Sequence, residues 1–560
     1  MKLQVPYSPP EFTGRIELEL SRNEGRPARA LEAKSLSSEA LARYPDLTQL
    51  RAELARRSGL EPERVLVTAG ADDALLRTCL ATLGEGRQAL LTRPTFEMIP
   101  RYVELARGTL REVDWPEGTF PTEKFLAAAK PQTAVAFIVS PNNPTGAVAS
   151  AEDVERIAAA LPNALVVLDA AYGEFADDDL TSLALRFENV VVMRTLSKAW
   201  GLAGLRIGYA LGSARWIERL AACGNPFPVS AASEAIALRR LATGEADMRN
   251  YVQRTRVERN ELTATLARFG ARVAEPSEAN FVLARGLDAR WTTAAAASLG
   301  VALRRFPDNP LLEDAVRVTL PGDPRCFERL SAVLEAALAP EALLFDLDGV
   351  LADVSRSYRA AIIATARCFG VSVSNAEIDV AKQRGDANDD WALTRTLLLD
   401  RGRDVPLAEV TLRFEEFYQG TSTSPGLRER EELLVPRETI AAWRERFPLA
   451  VVTGRPRADA QRFLERFELS SLFDAVVCRE DAPLKPAPEP VRRALGALGV
   501  RSAWMLGDTS DDLAAARAAG VVPIGVVARG ADASLTRAGL ERAGAARVLD
   551  QTLDLEELLP

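Results

Sequence analysis

Histidine is missing altogether from the 560 residues. Its absence excludes imidazole as base, nucleophile or metal ligand, so catalysis must use lysine, carboxylates, tyrosine, hydroxyls or a cofactor. Lysine is scarce as well: Lys2, Lys34, Lys124, Lys130, Lys198, Lys382 and Lys485 are the only ones among 69 basic residues. An excess of positive charge is lacking. The net charge is −9, which leaves no basic surface to suggest nucleic acid. The five cysteines (Cys79, Cys223, Cys326, Cys368, Cys478) are odd in number and scattered. They form neither a disulfide framework nor a CxxC metal site, and they favour a reducing cytoplasm. Long apolar runs are missing too, so no membrane span is expected, and the first ten residues lack the core of a signal peptide.

The composition that remains is that of an ordinary globular protein, 47% apolar and 26% charged, too long for one core. Short β-branched strands alternate with amphipathic helices, which predicts an α/β fold with mostly parallel sheets. The expected strands Arg64–Val67, Gln88–Leu91, Ala134–Val139, Leu165–Leu168 and Val190–Met193 each run into a polar cluster. That edge of an open α/β sheet is where ligands bind. The region from about 213 to 338 is richer in helix and reads as a smaller α+β domain. A boundary falls at Leu338-Ala-Pro-Glu-Ala342, after which a new strand, Ala342–Phe345, meets Asp346-Leu-Asp-Gly349. Residues of about 354–440 read as helical, without clear strands. Alternation returns with Leu449–Val452, Ala475–Val477 and Ala503–Leu506.

Lys198 stands in Arg194-Thr-Leu-Ser-Lys-Ala-Trp-Gly201, a glycine-bearing turn. In a chain that prefers arginine, a retained lysine suggests a need for an amine, because only an amine condenses with an aldehyde. The neighbouring clusters suit a phosphorylated, protonated pyridine aldehyde. Gly70-Ala71-Asp72 opens a helix whose free N–H groups favour a phosphate. Thr195, Ser197 and Arg206 add donors to the same phosphate. Asp169 suits a pyridinium nitrogen, keeping the ring an electron sink. Asn143 and Tyr172 suit the ring hydroxyl, and Phe96 suits the ring face. Singly, each has a structural reading: Asp72 as a cap, Asp169 as a turn residue, Phe96 as a core aromatic. Together, in this order, they describe a pocket.

These motifs resemble the fold-type I pyridoxal-phosphate aminotransferases, in particular the histidinol-phosphate aminotransferases. The resemblance covers about residues 10–338. It rests on Arg43-Tyr-Pro-Asp46, Gly70-Ala-Asp-Asp73, Pro94-Thr-Phe96, Ser140-Pro-Asn-Asn-Pro-Thr-Gly146, Asp169-Ala-Ala-Tyr172 and Thr195-Leu-Ser-Lys-Ala199 with Arg206. It implies Lys198 as the lysine that binds the cofactor aldehyde and shuttles protons. It implies Tyr44 as a contact to the cofactor phosphate of a second subunit, hence a homodimer. Arg317, in Val316-Arg-Val-Thr319, matches the arginine that takes the carboxylate or phosphate of the substrate. The family's Asn-Glu-Asn-Pro appears here as Asn23-Glu24-Gly25-Arg26, which leaves Asn23 as the matching substrate-side residue. The large domain is expected over about 30–212, with the small domain at about 213–338 plus the N-terminal segment.

In the second part, Asp346-x-Asp348 after an apolar strand offers one carboxylate to attack phosphorus and another to protonate the leaving oxygen. Asp508 and Asp512, past a later strand, complete an oxygen-rich site for Mg²⁺. Thr453 and Lys485 can hold phosphoryl oxygens. The order Asp346-Leu-Asp-Gly349, Thr453-Gly454, Lys485-Pro486 and Gly507-Asp-Thr-Ser-Asp-Asp512 resembles the phosphatase branch of the haloacid-dehalogenase superfamily over about residues 341–553. The resemblance implies an aspartyl-phosphate on Asp346, acid/base work by Asp348, and Mg²⁺ held by Asp346, Asp508 and the Asp348 carbonyl. It divides 341–560 into a core (341–353 and 441–560) and a helical cap (354–440). The expected chain is thus a bifunctional cytoplasmic enzyme acting on small molecules. It would transaminate between glutamate and imidazole-acetol phosphate, then hydrolyse histidinol phosphate. The alternatives are an aminotransferase of another amino acid paired with a general or phosphoglycolate-type phosphatase, or a chain in which one domain only senses a ligand.

Overall fold

The computed structural model describes residues 11–12, 14–27, 42–383 and 389–560, apart from the side chain of Gln383. The first ten residues, Lys2 and Lys34 lie outside the described residues. The described chain divides into two compact units. One comprises Leu20–Ala289 and Leu303–Arg329; the other comprises the described residues up to Glu19, Arg290–Ala302 and Leu330–Pro560.

The first unit is built on a seven-stranded sheet. Its strands are β1 (Val65–Thr68), β2 (Gln88–Arg93), β3 (Thr109–Asp114), β4 (Thr133–Val139), β5 (Leu165–Asp169), β6 (Val190–Thr195) and β7 (Gly208–Leu211). Their order is β1-β7-β6-β5-β4-β2-β3, parallel except at β7, which runs against both β1 and β6. The apolar runs are continuous because both faces are buried. Val190 and Val192 feed one core cluster while Val191 and Met193 feed the other, and Val166/Leu168 and Leu165/Val167 divide the same way. This alternation is the period of a strand.

Helix α1 (Gly70–Thr82) follows β1, and the long α2 (Glu245–Arg268) leads to a smaller antiparallel sheet. That sheet holds β8 (Arg272–Val273), β9 (Phe281–Arg285), β10 (Arg304–Arg305) and β11 (Val316–Thr319), in the order β10-β11-β9-β8.

The second unit carries a six-stranded, all-parallel sheet: β12 (Leu343–Phe345), β13 (Leu449–Val452), β14 (Ala475–Val477), β15 (Trp504–Gly507), β16 (Val522–Val526) and β17 (Arg547–Leu549). Its order is β14-β13-β12-β15-β16-β17, which sets β12 at the centre between β13 and β15. Four helices are inserted after β12: α3 (Tyr358–Cys368), α4 (Asn375–Gln383), α5 (Asp390–Leu399) and α6 (Leu407–Gln419). Helix α7 (Ser510–Ala518) follows β15. The insertion is not purely helical. Gly420–Thr421 pairs with Ser424–Pro425, and Glu432–Leu433 pairs with Ala352–Asp353. Two-residue ladders lack the alternation that reveals a strand in a sequence. Within this unit, Trp291 packs on Trp504 at 4.6 Å between ring centroids, and their indole N–H groups donate to the carbonyls of Ala337 and Ala336.

The α/β reading holds, with β7 the departure from parallel order. All five cysteines are free thiols. Among the described residues, no helix is long and apolar enough to cross a membrane.

Candidate active sites

At the carboxyl edge of the first sheet, β6 ends at Thr195 and the chain turns through Lys198. Lys198 Nζ donates to the carbonyl of Asn23 at 2.8 Å and lies 5.5 Å from the centre of the Tyr172 ring. Burial, reinforced by Arg317, pushes its amine down to about 8. The amine is therefore far closer to its neutral, nucleophilic form near pH 7 than a solvated lysine. Asn23 Nδ2 donates to Tyr172 Oη at 2.7 Å, and Thr319 Oγ1 donates to Asn23 Oδ1 at 3.3 Å. Arg317, on β11, donates to Asn143 Oδ1 at 2.8 Å and to the carbonyl of Ser21 at 2.7 Å. The N-terminal segment thus gathers two sets of side chains spread over nearly 300 residues: Lys198, Tyr172 and Thr319 on Asn23, and Arg317, itself bonded to Asn143, on the Ser21 carbonyl.

Asp169 ends β5 and is 4% exposed, with the N–H of Ala171 donating to it at 3.1 Å. Burial raises its carboxyl to about 7. A carboxylate under that penalty gains most from a cationic ring nitrogen. Around the expected phosphate position, Arg206 pairs with Asp72 at 3.0 Å and approaches Ser197 Oγ at 3.5 Å. Thr195 Oγ1 donates to Ser197 Oγ at 2.9 Å. Gly70 has φ +81, and a Cβ there would lie 2.6 Å from Arg206 Nη2. The missing side chain lets the Arg206 guanidinium lie close over the start of α1, beside Asp72. Phe96 is half-buried against the core cluster that holds Ile99 and Tyr102. Tyr44 is 79% exposed and stacks on Phe227 at 4.4 Å, away from the group around Lys198.

Gly25 explains one departure from the resemblance. A Cβ at that position would sit 1.8 Å from the Lys198 carbonyl oxygen. Asparagine, the family's residue there, has no room along this path of the chain.

In the second unit, the central strand β12 delivers Asp346 to the sheet edge. Lys485 Nζ donates to Asp346 Oδ1 at 2.8 Å and to the carbonyl of Val452 at 3.0 Å, and pairs with Asp512 Oδ1 at 2.5 Å. Burial raises the Asp346 carboxyl well above the usual range, against the pull of Lys485. Burial alone would lower the Lys485 amine, but Asp346 and Asp512 reverse that and raise it. Burial also pushes Asp508 up to about 7, opposed by Lys382. One oxygen from each of Asp346, Asp508 and Asp512 lies within 4.8 Å of the others. Three crowded, desolvated carboxylates suit a small divalent cation. Asp512 also caps α7, accepting from Thr509 Oγ1 at 2.7 Å. Thr453 is buried, and its Oγ1 accepts from the N–H of Arg455 at 3.1 Å.

Asp348 is held elsewhere. Arg455 Nε donates to its Oδ1 at 2.7 Å, so its carboxylate stands outside the group formed by Asp346, Asp508 and Asp512. A cleft over Asp346 and Asp348 is also lined by Lys382, Asp390, Trp391 and Arg479. Lys382 lies 3.6 Å from Asp390, and Arg479 covers the Trp391 ring at 4.4 Å. None of these four, nor Arg455, belongs to a motif legible in the sequence. One signal was present for Lys382: the rarity of lysine that drew attention to Lys198 and Lys485 applies equally to it.

Residues 18–336 match the family described as aminotransferase class I and II, and residues 340–520 match the haloacid dehalogenase-like hydrolases. A histidinol-phosphate aminotransferase of Thermoanaerobacter pseudethanolicus is 34% identical over 282 residues, covering 50% of this chain and 79% of that protein. One from Erythrobacter litoralis is 34% identical over 357 residues, covering 60% and 95%. An imidazoleglycerol-phosphate dehydratase of Phytophthora nicotianae is 49% identical over 195 residues, 33% of this chain; the chain spans 43% of that relative's length. Among solved structures, histidinol-phosphate aminotransferase from Sinorhizobium meliloti, in complex with pyridoxal-5'-phosphate, aligns with a TM-score of 0.53 at 26% identity. It covers 58% of this chain and 91% of the other.

Proposed function

The chain belongs to the class I and II aminotransferases over residues 18–336, with a haloacid dehalogenase-like hydrolase following it, and from that premise we propose a bifunctional enzyme of histidine biosynthesis. Its first activity moves an amino group between glutamate and imidazole-acetol phosphate. Its second removes the phosphate from the histidinol phosphate so formed. The observation that carries the first half is the way the segment 21–23 gathers Lys198 and Tyr172 on Asn23 and Arg317, with Asn143, on the Ser21 carbonyl. The second half is supported by Asp346, Lys485, Asp508 and Asp512 at the end of a central strand. Relatives named for histidinol phosphate and for imidazoleglycerol phosphate point to the same substrate chemistry, an imidazole and a phosphate on a short carbon chain. The division between the activities falls at about 338–341, and two consecutive steps on one chain raise the local concentration of their shared intermediate.

Pyridoxal phosphate fits the first site: the start of α1 at Gly70 with the Arg206 guanidinium close over it, the desolvated Asp169 carboxylate and the amine of Lys198 match its phosphate, ring nitrogen and aldehyde. When bound, it supplies an aldehyde and an electron-withdrawing ring. Arg206, Thr195, Ser197 and the N–H groups at Ala71 and Asp72 hold its phosphate. Asp169 keeps the ring nitrogen protonated, and Asn143, Tyr172 and Phe96 orient the ring. Lys198 takes and returns the substrate's proton at Nζ, favoured by its lowered basicity. Arg317 and Asn23 orient the substrate's anionic end. Tyr44, exposed here, reaches the phosphate site of a second copy in a homodimer.

In the second site, Asp346 attacks phosphorus while Asp348 protonates the leaving alkoxide oxygen. An oxygen–phosphorus bond to Asp346 forms as the ester bond breaks. Asp348 then takes a proton from water, whose oxygen attacks phosphorus and frees phosphate and the Asp346 carboxylate. Thr453 and Lys485 hold the phosphoryl oxygens. The carboxylates of Asp346, Asp508 and Asp512 and the Asp348 carbonyl would hold Mg²⁺, which would supply positive charge to offset that of the phosphoryl group. The reading places the protein in the cytoplasm.

The test supplies full-length protein with histidinol phosphate and 2-oxoglutarate, following glutamate and free phosphate separately. Both are expected. Glutamate without phosphate refutes the coupled reading and leaves only the aminotransferase.

A further inference from the structure

Arg455 is the most heavily engaged side chain near the second site. It follows Thr453-Gly454 at the end of β13, and its side chain is only 1% exposed. Nε and Nη2 reach Asp348 Oδ1 at 2.7 and 2.5 Å. Nη1 and Nη2 reach the two oxygens of Glu431 at 3.0 and 3.1 Å, and Nη1 also approaches Tyr418 Oη at 3.4 Å. The guanidinium lies against the rings of Tyr358 (4.9 Å) and Phe463 (5.4 Å). Two carboxylates on one buried guanidinium use the fork geometry that lysine lacks.

The second carboxylate stands at a particular place. Glu431 directly precedes Glu432–Leu433, the strand that pairs with Ala352–Asp353. These two stretches are the connections through which the chain leaves the core for the inserted helices and returns. Glu431 Oε1 accepts from Ser357 Oγ, one residue before α3, at 2.9 Å. It also accepts from Tyr418 Oη, on α6, at 3.1 Å. One carboxylate therefore gathers the first and last helices of the insertion, and Arg455 joins it to Asp348.

We propose that Arg455 is a positioning residue that sets the Asp348 carboxyl for proton transfer and couples its placement to the inserted cap through Glu431. This rests on the reading of Asp346 as nucleophile and Asp348 as acid/base. A guanidinium needed only to neutralise Glu431 would not spend its Nε on Asp348. The arrangement fixes where the Asp348 carboxyl stands while the cap's two limbs are gathered on Glu431, so the proton-transfer group and the lid are set together.

The test uses the full chain carrying Arg455→Met, with p-nitrophenyl phosphate and histidinol phosphate as paired substrates. Nitrophenolate leaves without a proton, whereas an alkoxide needs one. A misplaced Asp348 should therefore leave the first nitrophenolate burst intact, slow the following turnover, and slow histidinol phosphate hydrolysis about 10²–10⁴-fold in kcat with little change in KM. Removing Arg455 strands Glu431, so Arg455→Met/Glu431→Gln is measured beside it and should show the same pattern in a folded protein. Arg455→Lys should recover part of the turnover. Burst and turnover falling together in both variants, or neither changing, overturns the inference. Phosphate release surviving in Asp346→Asn instead removes the underlying reading, whatever Arg455 does.

Discussion

Asp169→Asn should make the cofactor-free protein more stable at neutral and alkaline pH, while weakening its hold on pyridoxal phosphate. The carboxyl is buried with one described backbone donor, and burial lifts it from an ordinary 3.8 to about 7. An acid whose folded-state pKa is raised contributes stability below its unfolded value and loses it as pH rises through the folded one. At 1.36 kcal/mol per pH unit, the gap between 3.8 and about 7 amounts to at most about 4 kcal/mol lost by pH 8. Asparagine has the same shape without the charge, so it escapes this loss. Urea unfolding of cofactor-free wild type and variant across pH 4 to 8 measures the gap directly. The variant should lead by a few kcal/mol at pH 8, and the lead should shrink towards zero as pH falls to 4. In the same proteins, cofactor affinity should move the opposite way, because the pyridinium loses its anion. A stability difference that does not change with pH, or a variant that binds cofactor as tightly as wild type, refutes the argument.

Lys485→Met should destabilise the second unit by about 3–5 kcal/mol, since it strands the buried carboxylates of Asp346 and Asp512. A separate lowered transition in calorimetry checks this. Gly25→Ala should cost about 1–3 kcal/mol, because its Cβ would meet the Lys198 carbonyl. Transaminase activity should fall with it, as the chain segment bearing Asn23 moves. Tyr44→Ala should leave stability within about 0.5 kcal/mol, the side chain being largely exposed. If a second copy's Tyr44 reaches the cofactor phosphate, the variant should nevertheless release cofactor faster on dialysis, and mixed dimers with a Lys198→Ala partner should show half-site behaviour.

What sequence alone decided was local. Strands β4, β5 and β6 are legible because burial on both faces demands continuous apolar residues, and each visibly hands over to a polar turn. Asp169, Lys198 and Asp346 are legible because each lies within a few residues of a strand end, where chemistry and chain order coincide, and Lys485 because a rare lysine stands before proline in Leu484-Lys-Pro-Ala-Pro488. Lys198 and Lys485 stand out by the scarcity of lysine; Lys382, equally rare, does not, because it lies on a helix of the insertion, outside any motif.

The tertiary structure decided everything that depends on residues far apart. Asn23 meets Tyr172 and Lys198 only because the N-terminal segment crosses the sheet edge, a path that Gly25 permits. Arg317 meets Asn143 across 174 positions. Arg455 joins Asp348 to Glu431, a union no spacing announces, because it needs the end of β13, the turn after β12 and the cap's return limb at one point. Short-range patterns report which backbone form a segment takes. Which charges share a buried space follows from how the sheets stack and where the helices cross, and that is written in no single stretch.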